Sequence, residues 1–147
     1  MRIVSAILLS IALLMSGAAL ADNLSDVSFS FTLPEGWTAA ESGEEFFCGD
    51  ASRLNVQVSD GTGMTMELIA ESGDAYRAMF EDYGAEGIEI CGVQQYGENV
   101  FFVMGYQLSG ASFRQALTLI DGNLFTLTFT DLADDGAFDL ILSSFAA

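Results

Sequence analysis

The chain has 147 residues and a formal net charge of −17 at pH 7, because 21 acidic residues face only four arginines. It contains no histidine and no lysine, which excludes Ser-His-Asp and Cys-His catalytic sites and lysine nucleophiles, and disfavours the usual zinc sites. So acidic a surface repels phosphate backbones and anionic headgroups. We therefore expect no nucleic-acid or membrane-surface partner, whereas cationic partners and divalent cations remain compatible with the charge.

The N-terminus predicts a secretory signal peptide over residues 1–21. Arg2 precedes an apolar run at 3–14, and Ala19-Leu20-Ala21 fits the A-x-A cleavage rule. We expect the mature protein to be a single domain, residues 22–147, that is periplasmic or secreted and keeps no membrane span. An uncleaved anchor is the alternative, but the run is short for a span of about 20 residues.

The segment FSFTLPEGW, residues 29–37, predicts a strand that ends in a corner. Apolar and small polar residues alternate over 27–33, as in a half-buried strand. Pro34 lacks an N–H and Gly36 permits an unusual turn, so the strand should stop there. We expect Pro34, Gly36 and Trp37 to form a structural corner in which the indole ring covers the end of the sheet.

The middle of the chain predicts short strands at 45–49 and 53–59 and a helix over 73–83. Apolar residues in the helix recur at helical spacing, and Ser72 is the candidate N-cap. Residues 64–70 alternate as a strand would, but a helix that begins here is an open alternative.

From residue 87 onward the pattern is that of an antiparallel meander followed by a helix. Four strands are predicted, at 88–93, 99–108, 112–120 and 124–130, with a turn at 121–123. On the last strand, phenylalanine and leucine alternate with threonine, which predicts one dry and one wet face. Apolar residues over 137–145 then follow Asp134 and Asp135, whose charge suits a helix N-terminus.

Cys48 and Cys91 are the only cysteines. An even number in an exported chain predicts one disulfide between them, and a pair of free, buried thiols is the alternative. Neither belongs to a C-x-x-C pair, so a redox-catalytic role has little support.

Two acidic or glycine-containing segments invite a functional interpretation. Residues 131–136 carry three carboxylates but lack the order of a calcium loop, so helix capping is the preferred interpretation. Residues 59–63, SDGTG, lack the lysine of a phosphate-binding loop and predict a hairpin turn.

Two stretches resemble the PsbP/DcrB type of small α/β sandwich. They are FSFTLPEGW, with its proline-glycine-tryptophan corner, and ALTLIDGNLFTLTFTDLADDGAFDLILSSF at 116–145, which closes with Ser144 and Phe145. The resemblance implies an α+β fold, with a curved antiparallel sheet of about six to seven strands and two main helices packed on it. It also implies accessory, assembly or chaperone-like roles. Photosystem-type members use histidines and acids for metal contacts, and this chain has no histidine, so neither a functional residue nor a cofactor is carried over to it.

The sequence thus predicts a non-catalytic, exported accessory or binding domain whose partner is another protein of the cell envelope. A binding module for a small molecule or Ca²⁺ is the alternative, and a carboxylate-based hydrolase comes third, because sequence alone does not pair carboxylates in space.

Overall fold

One antiparallel sheet organises the residues that the computed structural model describes, 27–147. The predicted signal peptide lies outside them. The strands are β1 Trp37–Ala39, β2 Glu45–Cys48, β3 Ser52–Asp60, β4 Glu86–Tyr96, β5 Asn99–Leu108, β6 Ala111–Ile120 and β7 Asn123–Thr130. Their order across the sheet is β1-β2-β3-β7-β6-β5-β4. Three helices accompany them: α1 Met66–Glu71, α2 Gly73–Asp82 and α3 Asp135–Ser144.

The sheet separates two apolar clusters, one on each face. On the first, which we call the α3 face, side chains of the sheet pack against α3 and the segment 27–33. On the second, the α1/α2 face, they pack against α1 and α2. Side chains alternate between faces along each strand, so Leu54, Val56 and Val58 of β3 all join the α3 face. The predicted α+β fold with an antiparallel sheet is confirmed.

Tight turns set the register of the meander. In the hairpin between β6 and β7, Ile120 pairs with Asn123, and the two residues between them have φ values of 51° and 79°. Positive φ at both central residues gives the twist that two-residue hairpins favour, and Asp121-Gly122 tolerates it. This turn lies where the sequence predicted it.

The segment 27–33 does not form the predicted strand. It makes one antiparallel bridge, in which Ser30 and Ala146 exchange two backbone hydrogen bonds of 2.8 Å. The alternation of the sequence instead places Phe29 and Phe31 on the ring of Phe145, at centroid distances of 5.8 and 6.5 Å. The alternation of apolar and polar residues over 27–33 therefore reflects packing on the end of α3 and not pairing within the sheet.

Residues 66–71 adopt the helical alternative. The Thr65 hydroxyl caps α1 by accepting a hydrogen bond from the Leu68 N–H at 3.1 Å. Ser72 does not cap α2 as predicted, because its hydroxyl donates to the Leu68 carbonyl at 2.8 Å. Its backbone, with φ −85° and ψ 6°, also departs from the extended conformation of most N-cap residues. Among residues 27–147, no helix is both long and apolar enough to cross a bilayer.

Candidate functional site

A row of polar side chains crosses the α1/α2 face from β2 to β6. Glu45 pairs with Asn55, Asn55 with Thr128, and Thr128 with Gln115. Directly paired residues of an antiparallel sheet share a face, with Cβ atoms about 4.5–5.5 Å apart. We call these four residues the acceptor row, because each carries a side-chain oxygen that can accept hydrogen bonds.

The acceptor row becomes more buried toward the centre of the sheet. Glu45 and Asn55 are half-buried, Thr128 is 8% exposed and Gln115 is fully buried. The neighbouring pair, Gln57 and Thr126, is buried as well. The prediction of a wet threonine face on the last strand is therefore wrong for Thr126 and Thr128.

Apolar neighbours account for this burial. Thr126 pairs with Leu117 and lies two residues from Leu124 on the same face, and both leucines belong to the apolar cluster beneath α1 and α2. The cluster reaches the threonines' own strand, β7, through Leu124, so apolar side chains border Thr126. Alternation thus gave the orientation of these side chains correctly but not their exposure.

Two buried amide oxygens near this row have no hydrogen-bond donor. The Gln115 Nε2 group donates to Thr128 Oγ1 at 3.3 Å, but Gln115 Oε1 and Gln57 Oε1 accept no hydrogen bond. A buried acceptor without a donor costs about 1–3 kcal/mol. These glutamines therefore reduce the stability of the free protein at positions where an apolar residue would not.

Tyr76 of α2 adds a third buried polar group on the same face. Its ring contacts Phe102 at 5.7 Å, and its hydroxyl has no hydrogen-bond partner. Burial raises the pKa of the Tyr76 phenol well above its ordinary value, and burial does the same for the pKa of Tyr106. Both phenols consequently stay neutral through the physiological range.

A second row, nearer the end of the strands, is open to solvent. Thr38 pairs with Phe47, Phe47 with Arg53, and Arg53 with Thr130. Thr38 and Arg53 are exposed and the other two are half-buried. We call these four residues the open row. Within the described chain, no residue of β1, β2 or β3 belongs to the apolar cluster beneath α1 and α2.

Arg53 is the one arginine of residues 27–147 without a hydrogen bond or ion pair. Arg77 donates to the Ile88 carbonyl at 3.1 Å. Arg114 pairs with Asp135 at 2.8 Å and lies 3.7 Å above the ring centre of Phe138. The Arg53 guanidinium is therefore available to a partner or positioned to repel one.

The predicted disulfide between Cys48 and Cys91 is not formed, and both thiols are free. The two residues lie on β2 and β4, the second and seventh strands in the sheet order. Five steps of about 4.8 Å separate such strands by roughly 24 Å. A disulfide needs Cα atoms about 4–7 Å apart. The thiols are also less buried than the alternative prediction held, since Cys48 is half-buried and Cys91 exposed.

Cys91 shows no sign of an activated thiol. Burial of its sulfur raises the pKa, and the neighbouring Glu89 carboxylate raises it further, against a smaller opposing effect of Arg114. The thiolate is the reactive form, so these surroundings suppress reactivity.

The acidic residues at 131–136 serve the structure of the protein. Asp131 accepts a hydrogen bond from the Ser112 N–H at 2.9 Å, and Asp134 accepts one from the Gly136 N–H at 2.8 Å, which caps α3. Asp135 pairs with Arg114. In the part of the chain that the structure describes, no three His, Cys, Asp or Glu side chains converge as metal ligands would.

Comparison with solved structures identifies the fold. The chain superposes on the solution structure of cyanobacterial PsbP (CyanoP) from Synechocystis sp. PCC 6803 with a TM-score of 0.55, covering 81% of this chain and 86% of that one. The fold is PsbP-like. A crystal structure from Bacteroides thetaiotaomicron VPI-5482 also matches, with a TM-score of 0.50 over 81% of this chain, which spans 44% of that longer protein.

The PsbP-like fold confirms the resemblance found in the sequence. The identities are 19% and 17%, so the likeness is one of fold. At the level of sequence, no family model and no curated protein matches the chain.

The corner that carried this resemblance precedes a strand rather than ending one. Gly36 has φ 85°, the Trp37 N–H donates to the Pro34 carbonyl at 3.1 Å, and Trp37 then begins β1. The indole is 8% exposed and belongs to the apolar cluster of the α3 face. We still expect the Trp37 ring to be a structural residue that covers the end of the sheet.

Gln57 and Gln115 were not among the predicted site residues, although the sequence around each has a recognisable pattern. Each occupies an inward position of an alternating strand: Phe113, Gln115 and Leu117 share one face of β6. A long polar side chain between two core residues is the pattern that indicates a buried polar group.

Proposed function

We propose that this protein is an exported, non-catalytic accessory domain that binds another protein of the cell envelope through the open row. The observation that carries the proposal is that this row, with Thr38 and Arg53 exposed and Phe47 and Thr130 half-buried, lies outside the apolar cluster of its own face. The predicted signal peptide supports an envelope location.

The composition of the open row suits a protein contact. Arginine and aromatic residues are enriched in protein interfaces, and a half-buried aromatic ring inside a polar rim is a common anchor. Phe47 has this arrangement, with Thr38 and Arg53 on either side. On the opposite face, by contrast, α3 and the segment 27–33 pack on the apolar residues of the sheet.

The groups near this surface are suited to hydrogen bonding rather than to bond cleavage. The acceptor row presents a carboxylate, two carboxamides and a hydroxyl, and the open row adds a guanidinium. Carboxamides bind and orient but do not transfer protons at neutral pH. These residues therefore favour a binding domain over an enzyme.

A pair of neighbouring residues tests the proposal. Thr38 and Ala39 are both exposed on β1, but their side chains point to opposite faces of the sheet. A photo-crosslinking amino acid would be placed at each position in the full chain and irradiated in intact cells. We expect a defined adduct with an envelope protein from position 38 and none from position 39. Equal adducts from both positions, or an adduct from position 39 alone, would contradict the proposal.

A further inference from the structure

Anionic side chains greatly outnumber cationic ones on this molecule. The sequence carries 21 acidic residues against four arginines. Two arginines of the described chain already bind protein groups, and the buried oxygens of Gln57 and Gln115 have no donor. A complementary partner must therefore supply hydrogen-bond donors.

We propose that the partner presents a lysine-bearing segment whose ammonium group binds at the acceptor row. This deepens the proposed function and rests on it. Glu45 lies at the open end of the row and forms the ion pair, and Asn55 beside it accepts a second hydrogen bond. Gln57, two residues from Asn55 on the same face of β3, turns its amide oxygen toward the bound group.

The chemistry of the row selects an ammonium group over other ligands. An ammonium has three donors and no acceptor, so it leaves no acceptor unmatched among carboxylate and amide oxygens. A phosphate or carboxylate would instead meet Glu45 and the field of the whole protein, both of which repel it. The aliphatic stem of lysine can also lie against an aromatic ring, and Phe47 is next to Glu45 on this face.

Gln57 connects this inference to the stability of the free protein. It is more than nine-tenths buried and has an unpartnered oxygen. The glutamine χ3 torsion is broad, so a rotation about it redirects the oxygen at little cost. A residue that weakens the free protein and strengthens the complex is expected at a binding site and not in an ordinary core.

The charge of Arg53 allows the sign of the partner's charge to be tested. Its unpaired guanidinium lies on the neighbouring row, diagonal to Glu45, and repels a cation there. Removing this charge should strengthen the binding of an ammonium group, whereas removing the Glu45 charge should weaken it. An anionic partner would reverse both effects.

The probe is an acetylated, amidated hexapeptide of alternating glycine and lysine, titrated calorimetrically at low ionic strength against the mature protein. We expect Glu45→Gln to weaken binding by roughly tenfold, since charge-assisted hydrogen bonds are of that size. Arg53→Gln should strengthen binding. Gln57→Met should weaken it while the melting temperature stays equal or rises. Gln107→Met, at an exposed position of β5, is the matched control and should change neither.

Three results would overturn the inference: an unchanged affinity in Glu45→Gln, weaker binding in Arg53→Gln, or no binding of the peptide by the wild type. Equal affinity for free butane-1,4-diamine would assign the site to a small amine and not to a protein segment. The cross-linking test separates this inference from the proposed function. An adduct from position 38 together with any of these results leaves the binding surface in place and rejects lysine recognition alone.

Discussion

The two faces of the sheet use the same strands for different purposes. The apolar cluster of the α3 face has members on every strand of the sheet, and the ring of Phe29 meets those of Phe125 and Phe145 there. The apolar cluster of the α1/α2 face extends from β4 to β7, and the face turns polar toward β3 and β2. The α3 face therefore contributes mainly to stability, whereas the α1/α2 face has less apolar contact and carries polar groups that can bind a partner.

On the α3 face, carbonyl groups at the end of α3 have hydrogen-bond donors. Asn99, at the start of β5, donates from Nδ2 to the carbonyls of Leu142 and Phe145, both at 2.8 Å. These are carbonyls that a helix end leaves without intrahelical partners. On the other face, by contrast, Gln57, Gln115 and Tyr76 each keep a buried polar atom unpaired. The comparison predicts that polar groups on the second face tolerate replacement and apolar groups on the first do not.

The largest expected effect is that of Trp37→Ala on the α3 face. Truncating a buried aromatic residue costs about 3–5 kcal/mol of unfolding free energy. Denaturant unfolding should show a much lower midpoint, and the native fluorescence of the wild type should be blue-shifted relative to the unfolded chain. A variant of wild-type stability that had lost a binding partner would instead make Trp37 a functional residue.

Phe29→Ala should have a smaller effect on the same face. The ring is only half-buried, so we expect a loss of roughly 2 kcal/mol. Because the segment 27–33 is joined to the C-terminal tail by the Ser30–Ala146 bridge, hydrogen exchange at the Ala146 N–H should accelerate. Unchanged exchange at Ala146 would show that the bridge forms independently of the ring.

Gln115→Met should act in the opposite direction, because it removes an unpartnered oxygen from the α1/α2 face. Relief of a buried acceptor predicts a gain of about 1 kcal/mol in unfolding free energy, offset in part by the lost contact with Thr128. Chemical denaturation measures it, and Gln107→Met is again the control. A loss of several kcal/mol would mean that the carboxamide is structurally required, and would contradict the expectation that polar groups on the α1/α2 face tolerate replacement.

The smallest effect at neutral pH comes from Tyr76 and Tyr106. Burial raises the pKa of each phenol in the folded protein. Their contribution to stability is therefore fully present below the unfolded pKa of about 10, and is lost as pH rises toward the folded value. Stability should fall above about pH 10, and less so in Tyr76→Phe. A wild-type alkaline profile in that variant would mean that Tyr76 ionises as easily in the folded protein as in the unfolded chain.

Regular alternation and helical spacing allowed most of the fold to be predicted from the sequence. The strand predicted at 99–108 is β5, and the helix predicted at 73–83 is α2, which ends one residue earlier. The segment 27–33 was mispredicted because packing on a helix end produces the same period as a strand. The disulfide failed for another reason: exported cysteines predict pairing, but only strand order shows that β2 and β4 are far apart.

The candidate site was less predictable than the fold. Composition excluded whole classes of chemistry, but it did not single out Gln57 or Gln115. Their importance depends on burial and on missing donors, and these follow from how far the apolar cluster extends over the sheet. Glu45 was likewise one acid among many until register placed it beside Asn55.

The most direct test of the account is an NMR titration of side-chain amide signals with the lysine hexapeptide. We expect the NH₂ signals of Asn55 and Gln57 on the α1/α2 face to shift together with one saturable affinity. Those of Gln94 and Gln107, whose positions alternate onto the opposite face, should stay in place. Shifts confined to Gln94 and Gln107, or spread equally over all four amides, would contradict the assignment of binding to the polar part of the α1/α2 face.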